Sequence, residues 1–447
     1  MMKWWTKVER GLLWLLLLVL PWQMRVILMP VFHRGVFVEY SALSLYLTDI
    51  LIVSLLVIWI VSTIIKRQKI ILGPKLIFWS VVSLIIWIWV SLLVTNLSGI
   101  LINPLTGIWI AGKLTMLGLF YFYLINRVKS ITEIIIPLSI GIFLQGGIAM
   151  GQYFLNHSLG LKLLDESVLD PIERGIPVVI KDGMRQLRAH GLLPHANVLG
   201  GYLATGLLLL MAELLRKPNY WLRISFLVGL TGLFLSFSRT AWLVFLVGGV
   251  VISWYGLRHK LVNSKWLLKG WVVSLILISA LVISQYQAVL PRLTANQLIE
   301  QNSLIEREQQ FAEFKTIYSP NKIFGVGLSQ YLANNIKLAD AKGTSNDYPQ
   351  PVHNVFLLVL AELGIVGLII FITLLVSGLV ELWRMKPSLV KMILVLAWVG
   401  MIILGLVDHY IWDLQQGRLI FWLVLALIGI TGYNEKYGRG NQRNQLS

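Results

Sequence analysis

The sequence predicts an all-α polytopic membrane protein, and three observations carry that prediction. Of 447 residues, 57% are hydrophobic and only 13% charged, where an ordinary soluble domain carries roughly 25% charged residues. The mean hydropathy is +0.75. About twelve stretches are apolar over the roughly 20 residues that a hydrocarbon core of about 30 Å requires. They lie near 11–29, 43–65, 76–95, 107–126, 131–155, 195–215, 221–237, 239–257, 268–287, 353–380, 389–407 and 417–433. The chain 1–447 reads as one integral membrane domain, with no internal repeat and no separate soluble unit.

At the N-terminus, Lys3, Lys7 and Arg10 lead into GLLWLLLLVLPW, which has the form of a signal sequence. No small-residue cleavage site follows, so the run is expected to stay as the first span. With the N-terminus inside, the basic clusters 66–75, 127–129, 216–223, 258–269, 384–391 and 436–443 all fall on the inner side. Basic residues outnumber acidic ones there by the chain's whole net charge of +17, and the opposite side is balanced. This positive-inside bias predicts both termini in the cytoplasm and an even number of spans. The basic balance therefore reads as topology and attraction to anionic lipid, not as nucleic-acid binding.

Lys113 falls in the middle of the fourth span and needs a partner, for which Asp49 in the second span is available. The first long outer segment, 156–194, mixes both charges with Pro and Gly punctuation and is expected to be an irregular loop. His195 and Asn197 open the next span in PHAN, with Asn197 placed to cap the helix. His190 and His195 are read as structural.

The second long outer segment, 288–352, contains a helix expected near 303–318. Ser303 and Glu306 have capping-box spacing, and Pro320 follows its end. Leu304, Phe311, Phe314 and Tyr318 recur at helical spacing, as in a helix lying along the membrane surface. Behind it FGVG, 324–327, is a turn, and HNVFLLVLAELGIVGL, 353–368, opens the tenth span. Glu362 in that span is read as a packing residue. Asp408, His409, Asp413 and Arg418 form the last outer loop, and a short basic tail ends the sequence.

The long polar segments all lie on the outer side, which directs the search for chemistry there. Nucleoside triphosphates are absent from that compartment, so a synthetic reaction needs a donor that is already activated. The sequence has no GxxxxGK[ST] and no GxGxxG between a strand and a helix. It has no Asp-x-Asp pair in an outer loop and no HExxH, and it lacks cysteine altogether. Disulfides, thiolate chemistry and a Cys-based metal site are therefore excluded. No cofactor and no metal are expected. His353, where a soluble loop meets an apolar helix, is the best candidate for acid/base work on a substrate half in lipid. Arg239, at the outer end of the eighth span, needs an anionic partner, and a guanidinium suits a pyrophosphate.

Three segments resemble the O-antigen ligase and polymerase superfamily. GLFLSFSRTAWLVFLVGGVV at 232–251 is similar to its Ser-Arg-small-Trp-Leu element. EREQQFAEFKTIYSPNKIFGVGLSQY is similar to its Arg-containing helix and Gly-x-Gly turn. His353-Asn354, nine residues, then GIVGL resembles its His-Asn-x9-Gly-x-x-Gly-Phe motif, with Leu368 where the family has Phe. The resemblance covers roughly 188–370.

It implies a type C membrane glycosyltransferase of the bacterial inner membrane and cell envelope. Such an enzyme moves a glycan from undecaprenyl pyrophosphate to an acceptor hydroxyl on a glycan, lipid or protein, as in lipopolysaccharide biosynthesis. His353 would then be the general base, and Arg239, with Arg188 and Arg307, would bind the pyrophosphate and stabilise the departing group. Asn354, Gly364 and Gly367 would support the site. A polymerase of the same superfamily, joining repeat units to one another, would use the same donor and chemistry. A lipid-linked glycan flippase is the rival of another class, since intramembrane Lys113 and Arg239 could line a transport path. An enzyme alters covalent bonds on the glycan and a flippase leaves them intact.

Overall fold

The structure is a computed structural model that describes residues 2–216, 219–261, 263–294, 298–318, 321–343 and 350–438. The described residues form sixteen α-helices, two short 3-10 helices and three two-stranded ribbons, joined by loops. The first half runs α1 (Met2–Val19), β1 (Arg25–Met29), β2 (Phe32–His33), β3 (Val36–Phe37), β4 (Leu43–Tyr46), α2 (Leu47–Ile65), α3 (Lys75–Leu97), α4 (Pro104–Arg127), α5 (Thr132–Leu155), β5 (Val178–Lys181) and β6 (Met184–Leu187). The second half runs α6 (Ala196–Leu214), α7 (Tyr220–Leu235), α8 (Arg239–Arg258), α9 (Ser264–Ser284), α10 (Tyr286–Thr294), α11 (Leu298–Tyr318), α12 (Tyr331–Lys342), α13 (Val355–Arg384), α14 (Leu389–Val407), α15 (Tyr410–Asp413) and α16 (Gln415–Tyr437).

Ten helices are long and apolar enough to cross a membrane: α2 to α6, α8, α9, α13, α14 and α16. The chain is thus an all-α polytopic membrane protein. The other two expected spans fall on the 16-residue α7 and the 18-residue α1. Burial separates the helices by place. In α16 89% of the apolar window is buried and in α9 only 6%, so α16 is central and α9 peripheral. Around α16, α5 packs on α7, α3 on α13, α8 on α14 and α4 on α16 itself.

Contacts between chain-distant residues define two ends of the bundle. At one, Arg127 at the end of α4 pairs with Glu9 in α1 at 2.8 Å, and the Lys386 amide donates to Glu435 at 2.9 Å. Lys75, Lys129, Arg384, Lys386 and Lys436 gather at this end. The other end collects the three ribbons, α10 to α12, and the start of α13.

Several expectations change. The first span does not run 11–29: α1 ends at Val19 and residues 25–29 form β1, paired antiparallel with β4 through Arg25↔Tyr46. Pro21, lacking an N–H, cannot continue the helix, and hydropathy alone does not distinguish an apolar strand from a helix end. Segment 156–194 is not wholly irregular, because β5 and β6 form a ribbon turning at Asp182 (φ 53°) and Gly183 (φ 77°). Both residues have the positive φ that a two-residue hairpin turn requires.

Helix α11 starts at Leu298, not 303, so Ser303 lies inside it and is no N-cap. LIEQN, 298–302, is a run of adequate helix formers that extends the helix by more than a turn. The Ser303 and Leu304 side chains and Pro320 lie outside the described residues. Phe314 stacks on both Phe311 and Tyr318, at 6.2 and 5.6 Å between ring centroids. His195, not Asn197, caps α6, its Nδ1 accepting from the Asn197 amide at 3.1 Å.

The tenth span is broken. Gly364 has φ 69° and ψ −173°, which divides α13 into two helical segments. A turn at 322–327 fills the break. The amides of Val326 and Gly327 donate to the Ala361 and Glu362 carbonyls at 2.8 and 3.0 Å, and the Ile365 amide donates to Lys322 O at 2.9 Å. Trp87 Nε1 donates to Leu363 O at 2.9 Å, and Ser91 Oγ to Phe324 O at 2.8 Å. Irregular backbone at membrane depth survives only when protein satisfies its polar groups, and here the loop and α3 do so. A Cβ on Gly364 would stand 1.9 Å from Ile323 O, and one on Gly325 2.5 Å from Ala361 O.

Candidate active site

Asn354 sets the position of His353. It is the N-cap of α13: its Oδ1 accepts from the Leu357 amide at 3.0 Å, and its Nδ2 donates to Leu406 O at 2.9 Å. The second bond ties the start of α13 to the end of α14, where Asp408 follows as C-cap. His353 Nδ1 consequently lies 3.6 Å from Asp408 Oδ1, with the imidazole 21% and the carboxylate 9% exposed. Its ring centroid is 5.0 Å from that of His409. Gln310 Oε1 on α11 accepts from the His353 amide at 3.2 Å, so the surface helix reaches the site.

Asp408 is the hub. Its Oδ2 accepts from Asn197 Nδ2 at 2.9 Å, and Asn197 Oδ1 accepts from Arg188 Nη2 at 2.6 Å. Hydrogen bonds thus run from Arg188 through Asn197 to Asp408, and a 3.6 Å ion-pair contact carries the chain on to His353. Burial alone would raise the Asp408 carboxyl, but the imidazoles of His353, His409 and His195 outweigh it and hold the group well below the usual carboxylate range. His409 Nδ1 pairs with Asp413 Oδ2 at 2.8 Å. Burial lowers that imidazole's pKa, and the Asp413 and Asp408 carboxylates reverse the effect, giving a net rise. Burial and Arg188 push His195 down to about 3, and burial with His195 pushes fully buried His190 well below its ordinary value.

The arginines meet at the turn before α8. Arg188 is buried and its Nε donates to Ser236 O at 3.0 Å. Arg239, the first residue of α8, donates from Nη1 to Arg292 O at 3.0 Å, and Arg292 Nε donates to Phe237 O at 3.2 Å. Three guanidinium-bearing residues thus engage or adjoin residues 236–239. Arg307 is exposed on α11, three residues before Gln310 and so on a shared face. Gly364 lies at the helix break, and a Cβ on Gly367 would stand 3.0 Å from Trp87 Nε1, so both glycines bear on packing behind the site.

Sequence reading did not find Asn197 as a bridge, Gln310, Arg292 or the role of Glu362. Glu362 ends the first segment of α13, is buried, and accepts from Trp412 Nε1 at 3.0 Å. Trp412 O in turn accepts from buried Arg418. The expected Lys113–Asp49 pair is present at 2.8 Å, with Gln415 Nε2 donating to the other carboxylate oxygen at 2.6 Å.

Chemically, an imidazole flanked by an ionised carboxylate, within reach of a surface helix and linked to an arginine, suits proton abstraction beside an anion. His353, Asp408 and His409 also offer one ligand atom each, all within 4.8 Å of one another, a set that could hold a divalent ion.

Residues 224–372 match the family model described as O-antigen ligase. The match supports the superfamily that the three motifs resemble, and it takes in Arg239, Arg307, His353, Gly364 and Gly367. No curated protein matches the chain.

Proposed function

From a chain whose residues 224–372 carry the O-antigen ligase family match, we propose a membrane glycosyltransferase of the cytoplasmic membrane, with both termini in the cytoplasm and the His353 end facing outward. It moves a glycan from a polyprenyl pyrophosphate to an acceptor hydroxyl. Asp408, on the Nδ1 side of His353, orients the imidazole and leaves Nε2 for the acceptor, the logic of a base held by a carboxylate. The acceptor oxygen attacks the anomeric carbon as His353 takes its proton. The new C–O bond forms while the bond to pyrophosphate breaks, and the electron pair leaves with polyprenyl pyrophosphate. Direct attack inverts the anomeric configuration.

Arg239, Arg188 and Arg307 bind the pyrophosphate and stabilise its growing charge, with Arg292 beside them. The supporting observation is the polar chain Arg188–Asn197–Asp408–His353, which connects a buried guanidinium to the imidazole. The acceptor decides between ligase and polymerase: a second repeat unit as acceptor makes the enzyme a polymerase, and any other envelope hydroxyl makes it a ligase.

The test is reconstitution of purified protein with polyprenyl-pyrophosphate-linked glycan and candidate acceptors, with and without EDTA. Glycan transfer with release of polyprenyl pyrophosphate, unchanged by EDTA, is the expected result. A glycan that moves between leaflets with its bonds intact would favour a flippase. Transfer lost in EDTA and restored by a divalent ion would make His353, Asp408 and His409 a metal centre.

A further inference from the structure

A cavity of about 270 Å³ opens between the N-terminal ribbons, the start of α4 and α12. Its polar lining is His33, Ser41, Asn103, Thr106 and Ser329, and Phe32 stands with it. The remaining wall is aliphatic. Among the described residues no Lys, Arg, Asp or Glu lines it, which does not suit a phosphate or another anion. Among the described residues the side chains of Ser41, Asn103 and Ser329 make no hydrogen bond, so their polar atoms stand available in the cavity, whereas Thr106 Oγ1 and His33 Nε2 are closed off from it. The nearest carboxylate, Asp340 Oδ1, lies 3.9 Å from His33 Nε2, beyond hydrogen-bond length, and is engaged by Arg34 at 3.0 Å. A ligand bearing hydroxyl groups finds donors and acceptors in the side chains of Ser41, Asn103 and Ser329.

The wall is fixed beforehand. Gln330 Oε1 accepts from the Ile102 and Asn103 amides at 3.1 and 2.8 Å, and its Nε2 donates to Asn103 O at 2.7 Å. Phe32 is 62% exposed and held edge-on by Phe37 at 5.9 Å, which leaves a ring for the C–H face of a sugar. The cavity also abuts the candidate active site from two sides. Ser41 follows Tyr40, whose ring centroid is 5.4 Å from that of His409, and Gly327, two residues before Ser329, donates its amide to Glu362 O at 3.0 Å.

We propose that this cavity is a glycan subsite holding one neutral monosaccharide unit through its hydroxyl groups. The volume lies just under the roughly 300 Å³ where small-molecule pockets begin, which suits one ring and not a chain. The assignment rests on the transferase reading for its biological sense, although the binding it describes does not require catalysis. The sugar belongs either to the donor glycan or to the acceptor.

The experiment uses full-length protein in detergent carrying His353→Ala, so that no turnover occurs. Two fluorescently labelled probes are titrated: oligosaccharide released by mild acid from the cell's polyprenyl-pyrophosphate pool, and oligosaccharide released likewise from its envelope glycolipids. Added Ala333→Trp fills the cavity and should weaken binding of one probe at least tenfold. Ser41→Ala removes one of the lining hydroxyls, and should weaken it about three- to tenfold, with the melting temperature unchanged. An effect confined to the first probe assigns the subsite to the donor glycan, and one confined to the second assigns it to the acceptor. If neither probe binds the parent, or both variants bind as the parent does, the proposal is overturned. Binding that depends on the cavity while wild type fails to transfer any glycan would defeat the transferase reading alone.

Discussion

Asp408 Oδ1 stands 3.6 Å from His353 Nδ1, while the other oxygen of the same carboxylate is held by Asn197 at 2.9 Å. The carboxylate therefore has a fixed orientation before any substrate arrives. Replacing it should disturb the base without removing it. Asp408→Asn is expected to lower kcat for transfer by roughly 10²-fold or more, with KM changed little. Asn197→Ala should lower it less, since it removes only the outer support. Steady-state rates on the purified variants check this, and a kcat for Asp408→Asn within twofold of wild type would remove Asp408 from the mechanism.

The break at Gly364 predicts a stability effect at two positions far apart in sequence. Gly364→Ala forces a Cβ to within 1.9 Å of Ile323 O, and Gly325→Ala brings one to 2.5 Å from Ala361 O. Both residues also hold positive φ. Each substitution should cost about 1–3 kcal/mol or more and lower the yield of folded protein in detergent. Equal melting temperatures for wild type and Gly364→Ala would show the helix to be unbroken there.

This break also marks where sequence reading stops. Residues 353–380 are uniformly apolar, so periodicity predicts one continuous span. The kink is imposed by a turn some 40 residues upstream whose amides replace helical hydrogen bonds at 361 and 362. The membrane class, most of the spans and the Lys113–Asp49 pair are legible, because each follows from local apolarity or from a charge that needs a partner. The Asn197–Asp408 bridge was not, since 211 residues separate its ends and neither has a local signature. The ribbon at Asp182-Gly183 did have one: an Asp-Gly turn between strand-forming residues, hidden among charges and prolines.

The buried pair inside the bundle gives a different pattern of costs. Lys113 Nζ and Asp49 Oδ2 are 2.8 Å apart, with side chains 8% and 4% exposed. Asp49→Leu alone leaves an uncompensated lysine and should destabilise by about 3–5 kcal/mol. Adding Lys113→Met should recover most of that loss. Thermal unfolding of the single and double variants checks the coupling, and additive losses would contradict it.

Acid should weaken the fold through two histidines. His190 is buried and His195 partly so, and both are held below their ordinary value of 6.5. As pH falls below 6.5 the unfolded imidazoles take up protons that the folded ones refuse, so stability declines by about 1.4 kcal/mol per pH unit for each. His409, whose pKa is raised, acts oppositely: its contribution is present below 6.5 and fades as pH rises through its folded value. Melting temperature in detergent should therefore fall from pH 6.5 to 4.5, and more gently in His190→Gln. An identical slope in that variant would show that His190 is not buried neutral.

The most direct test of the account compares wild type with His353→Ala, folded equally well, for polyprenyl pyrophosphate released together with glycan transferred to acceptor. Loss of the base should slow transfer by about 10²–10⁴-fold while leaving donor binding near the wild-type level. Equal transfer rates in the two proteins would contradict the assignment of His353 as the group that takes the acceptor's proton.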